Sequence, residues 1–141
     1  MLYFARLLGY EEENLLWSLM GLLHDLDYEM FLEEHCVETK EILKKENINP
    51  ELIRAIMSHA YGMCSDTKPE LVMEKVLYAT DELTVLIGTT VLMCSSKSTI
   101  DFEVVIREKE FKDKKFAEGC SRNVIQDCEN MLGWKLDYLH T

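Results

Sequence analysis

Residues 47–62 read NINPELIRAIMSHAYG, and their punctuation spells out a helix from start to stop. Asn49 has the side chain of an N-cap, whose oxygen can accept an orphan amide of the first turn. Pro50 follows at the first helical position, where its missing N–H costs nothing. Gly62 supplies the stop. Within this helix His59 follows Ile56 by three residues and Ala55 by four, so it shares their inward stripe. A histidine facing a core is usually a satisfied core residue, and the alternative is a ligand.

The same helical period extends in both directions from this segment. A short helix over about Leu2 to Leu8 ends at Gly9. A second opens with the acidic first turn EEEN and carries Leu15, Leu19, Leu22 and Leu23 towards His24, the polarity that the helix dipole favours. Leu22 and Leu23 are expected in the core. A third covers about Glu33 to Glu46, with Val37, Ile42 and Leu43 apolar and Lys44 and Lys45 near its end. A fifth, about Pro69 to Met93, is apolar on nearly every side, as a central helix is. A sixth segment after Ser98 or Thr99 starts with the β-branched run IDFEVVI. The chain closes with about Ser121 to Leu132 and the tail WKLDYLHT. No alternating strand series and no internal repeat interrupts the pattern. The expected fold class is all-α, one helical bundle over residues 1–141.

Composition narrows the function classes. The chain has 141 residues, 48% of them apolar, with two prolines and six glycines. That is enough to bury a core, with little left for linkers. No apolar run reaches the roughly 18–20 residues that span a bilayer, and the N-terminus lacks the basic start and cleavage site of a secretory signal. Five cysteines (36, 64, 94, 120 and 128) include no C-x-x-C pair, a usage that fits a reducing cytoplasm. The net charge of −11 argues against nucleic-acid polymers and anionic membranes as partners. One stretch runs the other way: Arg107 to Arg122, REKEFKDKKFAEGCSR, carries six basic and four acidic residues. It reads either as a solvated face or as a seat for a small anion.

Familiar catalytic devices are missing: no glycine-rich phosphate loop, no G-x-S-x-G elbow, no H-E-x-x-H. What remains is a set of histidines and aspartates in apolar company. GLLHDLDYEM (21–30) ends a leucine-rich run in His24 and Asp25, and Asp81 sits mid-helix in LYATDELTVLIG (77–88). A buried charge there needs a partner or a metal. His35 falls at the start of the third helix. Each has an ordinary alternative, a core or surface histidine or a capping aspartate. Jointly, imidazole and carboxylate make a ligand set for Mn, Fe, Co, Ni or Zn. A cysteine nucleophile (Cys36 beside His35, or Cys64 after His59) is a weaker reading, because adjacent helical residues point apart.

The order H-D, His, His, Asp in a helical bundle, carried by GLLHDLDYE, EIL, IRAIMSH, YATDELTVLI and FKDKKFAEGCSR, resembles the HD-domain superfamily of metal-dependent phosphohydrolases. The similarity is greatest to its small bacterial and archaeal hydrolases. The resemblance implies an HD-type bundle in which His24 and Asp25 match the H-D pair and Asp81 the final aspartate. It implies that His35 and His59 match the two extra histidines of members with two metals, and that Asp25 is a bridging carboxylate. The implied activity is metal-assisted hydrolysis of a small phosphate ester or nucleotide, using one or two divalent ions. Lys112, Lys114, Lys115 and Arg122 would then hold the substrate phosphate, Arg being suited to bidentate contact.

The family pattern also has a histidine on a helix ahead of the H-D pair, and no histidine precedes His24. The chain therefore reads as an N-terminally short HD domain, with His140 too remote in sequence to substitute. Three readings follow: a longer gene product, a site with fewer ligands, or a fold kept for interaction without catalysis. A missing helix would expose apolar surface, so a homodimer or larger homo-oligomer is expected. Oxidation chemistry at a two-iron site is a further alternative.

Overall fold

The computed structural model describes residues 1–31, 35–93, 124 and 130–133. Among these the regular elements are all helical, and the expected all-α class holds. No helix of the described residues is long and apolar enough to cross a membrane. The chain divides into two compact units, Met1–Tyr78 and Ala79–Thr141.

In the first unit, α1 (Leu2–Leu7) is followed by a 3-10 turn (Glu11–Glu13) that leads into α2 (Asn14–Leu23). α1 stops as the sequence dictates. Gly9 takes φ +81°, and the amides of Gly9 and Tyr10 return to Arg6 and Ala5 in a Schellman closure. α3 (Val37–Lys45) ends in the same way with Asn47 at φ +55°, its amide returning to Lys44 and that of Ile48 to Leu43. Asparagine is the side chain that best tolerates this backbone after glycine. α4 (Pro50–Met57) then starts on its expected cap, the Asn49 side chain accepting the Glu51 amide at 2.8 Å. A 3-10 turn (Ser58–Ala60) continues it, and Gly62 at φ +79° turns the chain.

α2 packs on both α1 and α4, and α3 packs on α4. The face that α2 buries differs from the expected leucine stripe. Trp17 and Met20 have no exposed surface, whereas Leu15 and Leu22 are 74% and 75% exposed. At roughly 100° per residue, Leu15 and Leu22 lie on the side of α2 opposite Trp17. The true inward stripe is Trp17, Met20 and then His24. Trp17 meets its polar need by donating Nε1–H to Glu13 and lies against the Tyr10 ring, 5.5 Å away. Val37 on α3 is also exposed, while Thr39 and Leu43 face inward.

α4 is the most deeply set helix of this unit. Leu52, Ile53, Ala55, Ile56 and Met57 are buried, and so are Ser58, His59 and Ala60 beyond it. A part-buried ion pair ties α4 to the start of α5 (Val72–Met93). Arg54 is bonded to Glu74, whose carboxylate has no exposed surface. The other Glu74 oxygen accepts the amides of Glu70 and Leu71 at 2.7 and 3.0 Å, satisfying orphan donors at the helix entrance.

The unit boundary falls inside α5. In the second unit Ala79, Glu82, Leu83 and Val124 are buried, but Val85 and Leu92 are exposed, so this half of α5 is not apolar and buried on every side as expected. Of the segments expected after Met93 only Val124 and residues 130–133 are described; IDFEVVI, Lys112, Lys114, Lys115, Arg122 and His140 lie outside the described residues.

Candidate metal centre

His24 is delivered by the end of α2, Asp25 and Asp27 by the turn that follows, His35 by the turn before α3, and His59 by the 3-10 turn after α4. His35 thus precedes the third helix instead of opening it. The backbone explains why. Cys36, the next residue, takes φ +72° and ψ −35°, which breaks helical geometry and lets α3 begin at Val37.

Four of the five expected ligands come together within the first unit. The Nε2 atoms of His24, His35 and His59 lie 3.5, 3.6 and 3.5 Å from the Asp25 carboxylate. Donor atoms of Asp25, His35 and His59 all fall within 4.8 Å of one another. The His24 and His35 rings lie edge-on to His59, with centroids 5.1 and 5.5 Å from it.

Each ring is anchored through its other nitrogen. Nδ1 of His24 meets the Gly21 carbonyl at 2.9 Å, and Nδ1 of His59 meets that of Ile56 at 2.7 Å. A carbonyl can only accept, so the proton sits on Nδ1 in both rings. His35 directs Nδ1 to Asp27 at 2.6 Å, and an ionised carboxylate likewise only accepts. In their neutral forms all three imidazoles therefore turn an Nε2 lone pair towards the oxygens of Asp25. Lone pairs facing a carboxylate at this distance are repelled unless a second proton on the ring or a metal cation shares the space.

Several features of the arrangement suit a metal ion. Donors about 2.0–2.2 Å from one ion stand at most about 4.4 Å apart, and each separation between a histidine Nε2 and Asp25 is shorter than that. Nitrogen and carboxylate oxygen suit a first-row divalent ion. Histidine ligands held at the remote nitrogen by a carbonyl or carboxylate are the usual supporting pattern. These groups can hold a metal ion.

Asp25 is the open side of the cluster, with its side chain 42% exposed, while His59 is 2% exposed. The His59 hydrogen bond holds the Asp25 carboxyl below its ordinary value; burial opposes this, and the charges of His24, His59 and His35 add to it. Asp27 has no exposed surface at all. One oxygen takes His35, and the other accepts the Thr39 amide at 2.8 Å, capping α3 in place of a local N-cap side chain. Burial pushes the Asp27 carboxyl up, and these hydrogen bonds outweigh it, leaving it below the ordinary value.

Asp81, the fifth expected ligand, lies on α5 in the second unit and is only half-buried. A group with no expected metal role also emerges: His35, Cys36 and Cys64 bring donor atoms within 4.8 Å of one another. Burial pushes the Cys36 thiol up, and the neighbouring Cys64 adds to the shift. That is the opposite of an activated nucleophile.

Comparison with known proteins returns no matching family model, no matching curated protein and no matching solved structure.

Proposed function

We propose that the protein is a metal-dependent phosphohydrolase acting on a small phosphate ester or nucleotide. The observation that carries the metal half of this reading is the convergence of three Nδ1-anchored imidazoles on Asp25. The phosphohydrolase half rests on the resemblance to HD domains together with that ligand set.

A divalent ion bound by Asp25, His35 and His59, with His24 at the other Asp25 oxygen, would supply Lewis acidity, polarising a phosphate oxygen and acidifying water. The chain's own residues do the rest. Anchored Nδ1 atoms keep the three rings from rotating, so their Nε2 atoms stay aimed at the Asp25 carboxylate, His35 and His59 at Oδ1 and His24 at Oδ2. Asp27 fixes His35 from behind, inside the protein, where water cannot compete. Asp25 remains ionised at neutral pH, and its exposed edge can accept a hydrogen bond from a water entering from solvent. On the same reading Lys112, Lys114, Lys115 and Arg122 engage the substrate phosphate. Homo-oligomerisation through exposed apolar surface is part of the same proposal, and the exposed Leu15 and Leu22 of α2 offer a face for that association.

Incubation with a panel of nucleotides and simple phosphate esters tests the activity, with Mn, Co, Ni or Zn added after chelator treatment. The expected result is phosphate release that requires metal and is lost in Asp25→Ala and His59→Ala. Asp81→Ala tests the remaining ligand that the resemblance implies. Metal binding without phosphate release from any ester would defeat the hydrolase reading, and metal-dependent oxygen uptake would point to oxidation chemistry. A chain that takes up no metal would leave the interaction module.

A further inference from the structure

Cys36 and Cys64 stand apart from the imidazole cluster and have a geometry of their own. Cys36 follows His35, is 1% exposed, and holds a positive φ that residues other than glycine rarely adopt. Cys64 comes 28 residues later and is exposed. It lies in the turn beyond His59, closed by the Gly62 amide on the Ser65 carbonyl at 3.0 Å. The two sulfurs are 2.7 Å apart as free thiols. A disulfide bond is about 2.05 Å long, so joining them needs less than an ångström of approach.

A soft-metal site is the competing use of His35, Cys36 and Cys64. Both nitrogens of His35 already have partners, Nδ1 in Asp27 and Nε2 facing Asp25. That leaves two sulfurs, half of what a closed tetrahedral site employs.

We infer that Cys36 and Cys64 form a reversible dithiol–disulfide site, oxidised by a low-molecular-weight disulfide, whose closure ties the segment bearing His35 to the turn beyond His59. This goes beyond the hydrolase reading and does not depend on it. The Cys64 thiolate attacks the small disulfide, forms a mixed disulfide and expels one small thiolate. The sulfur of Cys36, giving up its proton, then attacks the Cys64 sulfur and expels the second. Two electrons pass from the protein to the small disulfide, and two small thiols leave. The assignment of roles follows exposure: Cys64 meets the reagent, and Cys36 is reached only from within.

The test equilibrates the full chain in graded glutathione buffers, as purified and again after chelator treatment. Alkylation and digestion without reductant then locate the bonds by mass spectrometry. One cross-link, Cys36 to Cys64, is expected under both conditions. Its oxidised-to-reduced ratio should fall roughly tenfold for each tenfold rise in the ratio of squared glutathione to glutathione disulfide. Cys36→Ser should trap glutathione on Cys64, while Cys64→Ser should leave Cys36 at least roughly tenfold slower to react, as burial dictates. If Cys36→Ser does not fold, the wild-type cross-link alone decides. Glutathione retained on Cys64 of the wild type, or Cys64 joined to Cys94, Cys120 or Cys128, overturns the inference. So does a cross-link seen only after chelation, which would give the thiols to a metal. Failure of the imidazole site to bind metal would change none of these outcomes.

Discussion

Asp27 Oδ1 accepts the Nδ1–H of His35 at 2.6 Å, from a side chain with no exposed surface. The same carboxylate caps α3 through the Thr39 amide. One buried group therefore sets both where α3 begins and which way a ligand histidine points. The fold and the metal centre share this residue.

Asp27→Asn separates the two roles from simple bulk, since it keeps the shape. An amide NH2 placed against either N–H donor loses that hydrogen bond, and the neutral side chain weakens the other. Loss of such a support typically costs about 10–100-fold in metal affinity. Competition titration against a chromogenic chelator should show a loss of that size, with helical circular dichroism retained.

The pH response has a definite sign. In the folded chain the Asp27 carboxyl lies below its ordinary value of 3.8, so folding favours the ionised form. Its stabilisation is complete above that value and is lost as pH falls through the lower, folded value. Asp25 shifts in the same direction, but its side chain is 42% exposed and solvent screens its contribution. Urea melts of chelator-treated protein should weaken from about pH 4 downward, and Asp27→Asn should flatten that decline. An unchanged slope in the variant would remove Asp27 from the account.

Glu74 gives a test away from the metal centre. Glu74→Ala removes the buried partner of Arg54, leaving it Glu70 at 2.8 Å and the Lys68 carbonyl at 3.2 Å, and frees the amides of Glu70 and Leu71. Removing one side of a buried pair costs about 3–5 kcal/mol. Arg54 is 38% exposed and can turn to water, so a loss of about 2–3 kcal/mol is expected in urea denaturation.

The two faces of α2 should respond in opposite ways. Met20→Ala should cost about 2–5 kcal/mol, whereas Leu15→Lys and Leu22→Lys should stay within about 0.5 kcal/mol in the dissociated chain. If the exposed leucines cover each other between copies, the double lysine variant should shift small-angle scattering from dimer to monomer. A wild-type chain that is already a monodisperse monomer would refute the oligomer proposal.

These residues also show what the sequence could reveal. Asn49, Pro50 and Gly62 were legible because caps and stops act locally, through the nearest amides and the backbone. His59 was legible because Ile56 and Ala55 fix its stripe. The face of α2 was not legible, because NLLWSLMGLL is apolar all round; periodicity cannot choose between leucines and the Trp17–Met20 pair. The role of Asp27 was not legible for a different reason. Its partners lie 8 and 12 residues on, beyond the reach of any helical spacing rule. The Cys36–Cys64 approach is likewise a tertiary event, since a 28-residue separation carries no local signal. The histidines and Asp25 could be selected as candidates by residue type, but the Nδ1 partners of the three histidines are set by how the chain folds around them.

The most direct test of the central claim is elemental analysis of protein purified without chelator, alongside Asp25→Ala and His59→Ala variants. The account predicts near-stoichiometric Mn, Fe, Co, Ni or Zn in the wild type, with strong depletion in both variants while each stays folded. Wild-type protein that carries no metal and takes up none on titration would contradict it, as would folded variants that retain the wild-type metal content.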